Sequence, residues 1–590
     1  MPDRRRPTVL RRDILKIGGS ATLLPFASIL ELAGPRQRAQ AGALAVDFKS
    51  LDHAQAILLL SVARTVFPHD FLPDEQYTKI VVVIVGSGAG GGTLGNELAQ
   101  KGIKVVCLEA GTRLTLGDIH NDPAAMSAKL TWLDPRVGSG DLDPKVPARI
   151  CKTVGGTTVH WAGAALRFQP HEWRARSTYG EVAGASLLDW PMTHEEMQPW
   201  YDRAEKKMGV AGSSQAGLPR LPGNNNYKVL AYGARKLGYR EVHTGNMAIN
   251  SQPYDGRPAC LQIGFCMSGC AIGAKWSTLY TEVPRAEATG NFELRPECHA
   301  MRIEHDAAGR ANAVVYVDAQ GVNQRQRARI VCVAGNAIET PRLLLLSSSE
   351  TFRDGLANSS GQVGRNYMMH TTGAAFAVMP GEVHPDRGTQ MAGIVMDEAR
   401  HRTDREFVGG FLLESFPPQG PLGFARRAKP GAWGRQYARD IEGYRNVAGL
   451  WIVGEDLPQT VNSVTLDPKV RDQHGLPVAH VHHVDHPNDA TMRKRAWEVA
   501  RSIYEAAGAG TIHTRGPFPA THNMGTCRQS ASSRDGVCNK YGQTHDVRNL
   551  FIADGSQFVN STSENPTLTI VALAIRQTDY ISKTMVRREL

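Results

Sequence analysis

Residues 79–109 read KIVVVIVGSGAGGGTLGNELAQKGIKVVCLE, and this stretch decides the fold. The apolar, mostly β-branched run from Ile80 to Val85 is typical of a buried strand in a parallel sheet. It leads into a loop that contains Gly86, Gly88, Gly90 and Gly91. Glycines at this spacing permit a tight turn, a close approach of the backbone to a pyrophosphate and close packing of the next helix. The N-terminus of that helix offers free N–H groups to phosphates.

A second apolar strand, Lys104–Leu108, ends at Glu109, where an acidic side chain can bind ribose hydroxyls. The strand, the glycine loop, the helix and the acid together predict a dinucleotide site. A glycine-rich turn without a ligand is the alternative. This segment alone does not distinguish FAD from NAD.

Further segments carry a family resemblance. Residues 149–163 read RICKTVGGTTVHWAG, residues 521–528 read THNMGTCR, and residues 549–569 read NLFIADGSQFVNSTSENPTLT. Together with Asp189–Tyr201, Ala334–Ser347 and Gly361–His370, they resemble the glucose–methanol–choline (GMC) flavoprotein oxidoreductases. The chain is most similar to the dehydrogenase branch, which includes the flavoprotein subunits of gluconate, sorbitol, fructose and glucose dehydrogenases.

The resemblance implies a Rossmann-like α/β FAD-binding domain and a substrate domain with an antiparallel β-sheet flanked by helices. We expect a discontinuous FAD-binding domain over 78–190, 225–347 and 514–590, and a substrate domain over 191–224 and 348–513. Six apolar or alternating segments between 370 and 485 predict strands, several of them in one sheet with a face over the flavin. Residues 417–445 are rich in Gly, Pro and Arg and predict a loop or lid.

By resemblance, FAD is bound by the glycine loop, the 149–163 segment and the segment near the C-terminus. The residues that this implies are Gly86, Gly88, Gly90, Gly91, Glu109, Gly155, Gly156, Thr157, Thr158, His160, Ala300, Asp554, Gly555, Asn565 and Thr567. Two interpretations of His160 stay open. In several relatives a histidine of this loop is bonded covalently to a flavin methyl group; the alternative is packing or a hydrogen bond.

Oxidation of an alcohol removes a hydroxyl proton and a carbon-bound hydride, and a flavin takes the hydride. The protein must supply a base within hydrogen-bond reach of the hydroxyl, and histidine suits this task because its ordinary pKa is near neutrality. His522 matches the catalytic histidine of the family, and Asn565 matches its second active-site position. Asn565 cannot take up a proton, but it can donate a hydrogen bond to the substrate oxygen. We interpret His370, His482, His483 and His486 as core or surface residues.

The chain has nine cysteines, and an odd number in an exported protein suggests that not all of them form disulfides. Cys260, Cys266 and Cys270 lie in one glycine-rich loop, and three thiols suit a [3Fe–4S] cluster. Their spacing resembles the cluster loop of the glucose and fructose dehydrogenase subunits. One disulfide with one free thiol is the alternative. A pair between Cys527 and Cys538 is a further candidate.

Residues 1–41 predict export. An arginine-rich start, an apolar stretch and a small-residue cleavage site at 39–41 are typical of a signal peptide. Arg11 and Arg12 resemble a twin-arginine signal, with a general secretory signal as the alternative. Two interpretations of residues 42–77 stay open. They are expected to be an N-terminal arm packed on the flavin domain, or a segment that resembles the small accessory subunit of the same dehydrogenase branch. The first 41 residues hold eight basic and three acidic groups, so they account for half of the net charge of +10. The mild positive charge of the remaining residues does not indicate a protein that binds nucleic acid.

These features predict a periplasmic FAD-dependent dehydrogenase that oxidises a CH–OH group of a sugar, polyol or related alcohol. Its electrons would pass through an iron–sulfur cluster to a cytochrome c or a quinone-linked acceptor. A small accessory subunit is an expected partner, and membrane contact is expected only through a partner. The alternatives are an oxidase that releases hydrogen peroxide and a flavoprotein without catalytic activity.

Overall fold

The computed structural model describes residues 81–132, 134–418, 420–428, 431–516, 521–587 and 589–590, so the expected signal peptide and N-terminal arm lie outside the described residues. The strands are, in chain order, β1 (Val81–Val85), β2 (Lys104–Leu108), β3 (Val137–Gly140), β4 (Val242–Thr244), β5 (Phe292–Arg295), β6 (His299–His305), β7 (Ala311–Val317), β8 (Asn323–Arg327), β9 (Ile330–Val333), β10 (Thr371–Val378), β11 (Gly393–Val395), β12 (Phe411–Ser415), β13 (Val447–Gly454), β14 (Ser463–Arg471), β15 (Pro477–His483), β16 (Thr511–Arg515) and β17 (Leu550–Ile552). The helices are α1 (Ala89–Gln100), α2 (Pro123–Leu130), α3 (Ala175–Tyr179), α4 (His194–Met208), α5 (Asn225–Lys236), α6 (Glu282–Ala288), α7 (Asn336–Leu346), α8 (Gly420–Ala428), α9 (Gly434–Glu442), α10 (Pro487–Ala506) and α11 (Thr567–Val586).

A five-stranded parallel sheet, in the order β17-β9-β1-β2-β5, confirms the predicted α/β domain. Its central strand is covered on both faces, which explains why its sequence is a continuous apolar run. Val82 and Ile84 enter a core with residues of α1 and α11. Val81 and Val83 enter the opposite core with residues of α7 and of the β6–β7 hairpin.

A six-stranded sheet, in the order β16-β10-β13-β12-β11-β4, has antiparallel pairing throughout. One face packs against α5 and α10, and it includes Leu450 and Ile452 of β13. The alternate residues, Trp451 and Val453, point to the other face. Because side chains alternate along a strand, this second face is free to form one wall of a cavity.

Two smaller sheets flank these layers. The strands β6, β7 and β8 form an antiparallel meander. The hairpin β14–β15 pairs in parallel with β3 instead of joining the six-stranded sheet.

Two expectations need correction. Residues 417–445 are not a plain loop, because they contain the helices α8 and α9. Proline is tolerated in a first helical turn, so Pro421, the second residue of α8, does not prevent that helix. Residues 225–244 fall within the expected FAD-binding domain, but their strand β4 pairs with β11 of the six-stranded sheet.

The structure contains no helix, within its described residues, that is both long and apolar enough to cross a bilayer.

Candidate active site

A cavity of about 1150 Å³ extends from the glycine loop after β1 to the six-stranded sheet. Most of the residues predicted to bind FAD line it, as do both predicted catalytic residues. They are Gly86, Gly88, Gly90, Glu109, Gly156, Thr157, Thr158, His160, Ala300, His522, Asp554, Gly555, Asn565 and Thr567. Gly91 and Gly155 do not line the cavity.

The glycine loop after β1 fits closely against the neighbouring backbone. Gly86 has φ of +96°, and a Cβ there would lie 2.4 Å from the carbonyl oxygen of Ala334. A Cβ on Gly91 would lie 1.9 Å from the carbonyl oxygen of Gly86, so Gly91 allows α1 to pack against its own loop. By contrast, a Cβ on Gly88 would meet nothing closer than 3.9 Å, because this glycine borders the cavity. No side chain of the described residues caps α1, which leaves its first N–H groups available to phosphate.

The Glu109 carboxylate is fixed at the end of β2. It accepts hydrogen bonds from the backbone N–H (3.0 Å) and hydroxyl (2.7 Å) of Ser87 and from the backbone N–H of Gly111 (2.9 Å). Burial raises the pKa of this carboxyl, while its hydrogen bonds and Lys152 act in the opposite direction. The Ser87 hydroxyl also accepts a hydrogen bond from the backbone N–H of Gly155 (3.0 Å), so Gly155 joins the two glycine loops without contacting the cavity.

The second loop, residues 155–160, meets the first across the cavity. Gly156 has φ of +51°, and a Cβ there would lie 3.0 Å from the Cα of Gly88. The Thr158 hydroxyl is buried and bonds within the protein, to the carbonyl of Gly155 (2.5 Å) and to Ser277 (2.9 Å). Thr157 is exposed toward the cavity. The two loops therefore form a narrow groove of backbone, which fits the phosphate and ring portions of a dinucleotide.

His160 follows this turn and lines the cavity. Burial, Lys275 and Arg149 lower its pKa to about 4. The imidazole is therefore neutral at physiological pH, the form in which a ring nitrogen retains its lone pair.

The closing segment near the C-terminus forms the remaining wall. Asp554 accepts hydrogen bonds from the backbone N–H groups of Asn336 (2.9 Å) and Ser556 (2.8 Å) and from the hydroxyl of Thr340 (2.5 Å). These bonds tie the segment to the first turn of α7. At the other end, Thr567 begins the 20-residue helix α11, whose N-terminus faces the cavity and favours negative charge there.

His522 is paired with a second histidine that lies 152 positions away in the chain. The backbone N–H and C=O of Met368 exchange hydrogen bonds of 3.0 and 2.9 Å with those of Met524. The two segments are antiparallel, so the residue two positions after Met368 lies opposite the residue two positions before Met524. These residues are His370 and His522. Their Nδ1 atoms are 2.8 Å apart.

The hydrogen bonds of His370 set the protonation of His522. His370 is fully buried, and its Nε2 lies 3.1 Å from the carbonyl oxygen of Ser561. A carbonyl only accepts, so this Nε2 carries the proton of the neutral ring. Burial lowers the pKa of His370 to about 4, and its Nδ1 is therefore an acceptor. His522 must then donate from Nδ1, which leaves its Nε2 with a free lone pair.

His522 is held in a strained conformation that suits a catalytic position. Its φ is +62°, in the left-handed region, and its ring lies 5.6 Å from that of Trp451. Such strain persists where the surroundings hold it, and it is concentrated at functional sites. Burial, together with His370, holds the pKa of His522 well below its ordinary value of 6.5. The ring is therefore an unprotonated base at neutral pH.

Asn565 is almost fully buried, and its side-chain oxygen has no hydrogen-bond partner in the described structure. It interacts with Glu414 of β12, a residue that the sequence analysis did not single out. Glu414 is fully buried, and burial raises its pKa to about 8, an effect that Asn565 opposes. Glu414 is thus mostly protonated at neutral pH.

The structure describes all nine cysteines, and none forms a disulfide. Cys527 and Cys538 are buried free thiols, so the suggested pair is wrong; the Cys538 thiol instead donates to the carbonyl of Cys527 (3.3 Å). Cys107 and Cys332 are buried free thiols in β2 and β9, as expected.

Cys260, Cys266 and Cys270 are half-buried free thiols beside the cavity but not in its wall. Backbone N–H groups donate to two of the sulfurs, from Gln262 to Cys260 (3.4 Å) and from Lys275 to Cys270 (3.5 Å). Such hydrogen bonds suit thiolates that ligate iron. The cluster that the resemblance implies stays a prediction.

Lys275 connects the cysteine loop to the cavity wall. Its buried ammonium donates to the carbonyl oxygens of Val159 (3.2 Å), Trp161 (2.5 Å) and Cys266 (2.5 Å). Burial lowers its pKa to about 8, while Cys266 and Cys270 act in the opposite direction. The Lys275 charge lowers the pKa of Cys266, but burial outweighs it and raises that pKa to about 11.

The parallel sheet, the glycine groove and the buried histidine base together define a dinucleotide-dependent oxidoreductase. Two models described as GMC oxidoreductase match residues 90–372 and 458–574. The chain belongs to the GMC oxidoreductase family.

Two relatives match over most of their length. The chain is 34% identical to 2-methyl-1,2-propanediol dehydrogenase from Mycolicibacterium austroafricanum, over 85% of this chain and 95% of that protein. It is 30% identical to the fructose dehydrogenase large subunit from Gluconobacter japonicus, over 85% of this chain and 97% of that protein. Among solved structures, pyridoxine 4-oxidase from Mesorbium loti has a TM-score of 0.63 at 17% identity, covering 86% of this chain and 99% of that chain, and it supports the fold.

Proposed function

We propose that this GMC oxidoreductase is an FAD-dependent dehydrogenase that oxidises a CH–OH group of an alcohol, polyol or sugar. The observation that carries the proposal is His522 at the cavity wall, held by His370 in the tautomer that leaves Nε2 free. The dehydrogenases among its relatives support the same reaction class.

The residues of this chain supply binding, orientation and proton transfer. FAD, when bound, accepts a hydride from the carbon of the alcohol. The glycine groove and Glu109 would hold the cofactor's phosphates and ribose, and the N-terminus of α11 would favour negative charge on the part of the cofactor that lies beside it. The Nε2 atom of His522 takes the hydroxyl proton. Asn565, which lines the same cavity, can donate an amide N–H to the substrate oxygen.

The cysteine loop makes a dehydrogenase a better proposal than an oxidase. A [3Fe–4S] cluster held by Cys260, Cys266 and Cys270 would supply one-electron transfer to a separate acceptor. The nearby N–H donors and the Lys275 ammonium support such a cluster. We propose a cytochrome c or quinone-linked acceptor and a small accessory subunit as partners.

Two further assignments belong to the same proposal. His160, neutral and at the cavity wall, is the residue that would bond covalently to the flavin. Export to the periplasm is proposed from the sequence of residues 1–41.

The experiment is a substrate panel on the purified full chain. Diols, sugar alcohols, aldoses, ketoses and sugar acids are each supplied with an artificial electron acceptor, and peroxide release in air is measured in parallel. We expect dye reduction with at least one alcohol and little peroxide. Peroxide at the same rate as substrate oxidation would show an oxidase, and no oxidation of any alcohol by flavin-loaded protein would contradict the proposal.

A further inference from the structure

Three acidic side chains and one imidazole converge behind the loop that carries Asn565. One ligand atom from each of His171, Glu172 and Glu455 lies within 4.8 Å of the others. Glu172 is fully buried and Glu455 is 2% exposed. None of the three lines the cavity, so the cluster is separate from the candidate active site.

The carboxylates of this cluster lack a positive partner. Glu172, Glu455 and a third fully buried acid, Glu564, interact with one another, and no lysine or arginine is among the main influences on the pKa of any of them in the described structure. Their hydrogen bonds come from neutral donors, such as the backbone N–H of Ser563 to Glu172 (2.8 Å) and the hydroxyl of Tyr179 to Glu455 (2.9 Å). Burial raises the pKa of Glu172 well above its ordinary value and that of Glu455 to about 8, so without a cation these carboxyls hold protons, which a bound metal ion would displace.

Two atoms of the cluster are buried without an N–H or hydroxyl partner in the described structure. One is the Oε2 atom of Glu564, whose carboxyl interacts directly with the carboxyl of Glu172. The Nε2 atom of His171 is also buried without a partner. Buried polar atoms are satisfied in folded proteins, and facing carboxylate oxygens need either a shared proton or a cation between them.

The donor set indicates the type of ion. Ca²⁺ and Mg²⁺ favour sites made of oxygen atoms alone, whereas Zn²⁺ and Mn²⁺ accept mixed carboxylate and imidazole ligands. His171 is available as a ligand because burial lowers its pKa to about 4, and a neutral imidazole is the form that binds metals.

We propose that His171, Glu172 and Glu455, with Glu564 beside them, bind one divalent cation of the Zn²⁺ or Mn²⁺ type. The ion is structural. Glu172 accepts from both the backbone N–H and the hydroxyl of Ser563, and Gln169 donates to Glu564 (2.9 Å). A bound cation therefore fixes the loop that presents Asn565 and the Ser561 carbonyl.

The first test measures metal content, which does not depend on alcohol oxidation. The full-length, flavin-loaded protein is incubated with ZnCl₂ or MnCl₂, dialysed against metal-free buffer and analysed by mass spectrometry for zinc, manganese and iron. We expect about one zinc or manganese ion per chain to be retained. The variants Glu172→Gln and Glu455→Gln should retain none. Iron is counted separately, so a cluster at the cysteine loop does not affect the result.

Asp489→Asn is the matched control. Asp489 is also a fully buried carboxyl coupled to another acid, and it lies outside the cluster, so the variant should bind metal like the wild type. Equal retention by wild type and Glu172→Gln would overturn the proposal.

Thermal unfolding of the wild type gives a second test that needs no variant to fold. A chelator should lower the midpoint by several degrees, and Zn²⁺ or Mn²⁺, but not Mg²⁺, should restore it. A midpoint that ignores the chelator and the added ions would mean that shared protons hold the carboxyls together, and it would overturn the proposal.

Discussion

Replacing His370 by leucine removes the acceptor that holds the Nδ1 proton of His522. The substitution is of similar size, and it eliminates both the 2.8 Å bond to His522 and the 3.1 Å bond to the carbonyl of Ser561. Without that acceptor, the proton of His522 can move to Nε2, where it blocks uptake of the substrate proton. We therefore expect His370→Leu to lower the fraction of His522 in the active tautomer.

The size of the effect follows from the energy of a buried hydrogen bond. Leaving a buried polar group without its partner costs about 1–3 kcal/mol. Each 1.4 kcal/mol of barrier corresponds to about tenfold in rate, so kcat/KM should fall by roughly 5- to 150-fold. The variant should retain bound flavin, because His370 does not line the cavity.

The assay is the pH profile of kcat/KM, measured with an artificial electron acceptor. In the wild type, the acidic limb should lie below pH 6.5, the ordinary pKa of the ring, because burial and His370 hold the pKa of His522 lower. In His370→Leu, the rate should fall across the plateau of the profile, because the loss of the acceptor changes the tautomer of the neutral His522 ring. His370→Gln, whose amide oxygen can accept from Nδ1, should recover part of the rate.

His305→Leu controls for general damage. His305 also forms hydrogen bonds through both ring nitrogens, to Asp306 and Ser349, but it lies away from the cavity. Its loss should leave the pH profile unchanged. If His370→Leu keeps the wild-type rate and profile, or if His305→Leu changes them equally, the role assigned to His370 is wrong.

Three further predictions concern Glu414, His160 and the cysteine loop. Burial raises the pKa of Glu414 from its ordinary value of 4.5 to about 8. Between pH 4.5 and about pH 8, the folded protein therefore keeps a proton that the unfolded chain has lost. The free energy of unfolding falls as the pH rises through this range. Glu414→Gln should reduce this slope by about 1.4 kcal/mol per pH unit, which thermal unfolding from pH 5 to 8 would show; an unchanged slope would refute the assignment. His160→Ala should release all flavin on denaturation, whereas wild-type flavin should stay with the polypeptide; complete release from the wild type would exclude the covalent bond. Cys266→Ser should lose iron and dye-coupled electron transfer but keep flavin, with Cys332→Ser as the control; equal iron in both variants would exclude the cluster.

The sequence predicts those parts of the site that depend on local spacing. The strand, the glycine loop and Glu109 occupy 30 consecutive positions, and each glycine has the close contact or the open approach that its place implies. His522 and Asn565 were found through their motifs, and both line the cavity.

The partners of these two residues could not be predicted, because they are distant in the chain. His370 reaches His522 only through the pairing of Met368 with Met524, and nothing in the local sequence distinguishes it from the other histidines. Glu414 lies in a buried strand, where a single acid among apolar residues can be recognised only once its neighbour Asn565 is known.

The fold shows the same limit. Continuous apolar runs identified the strands, but not the sheet to which each belongs, because β14 and β15 have the same pattern as strands of the larger sheet. In residues 417–445, frequent Gly and Pro favoured a loop, but the segment contains two short helices. Pro421 lies in the first turn of α8, where proline is compatible with a helix.

The central claim is that His522 is the base that accepts the alcohol proton, and rapid-mixing measurement of flavin reduction tests it most directly. Wild type and His522→Ala are mixed without oxygen with an alcohol identified in the panel, and the loss of flavin absorbance is followed. We predict that the variant binds flavin normally and is reduced about 10²- to 10⁴-fold more slowly. Reduction of the variant at the wild-type rate would contradict the account.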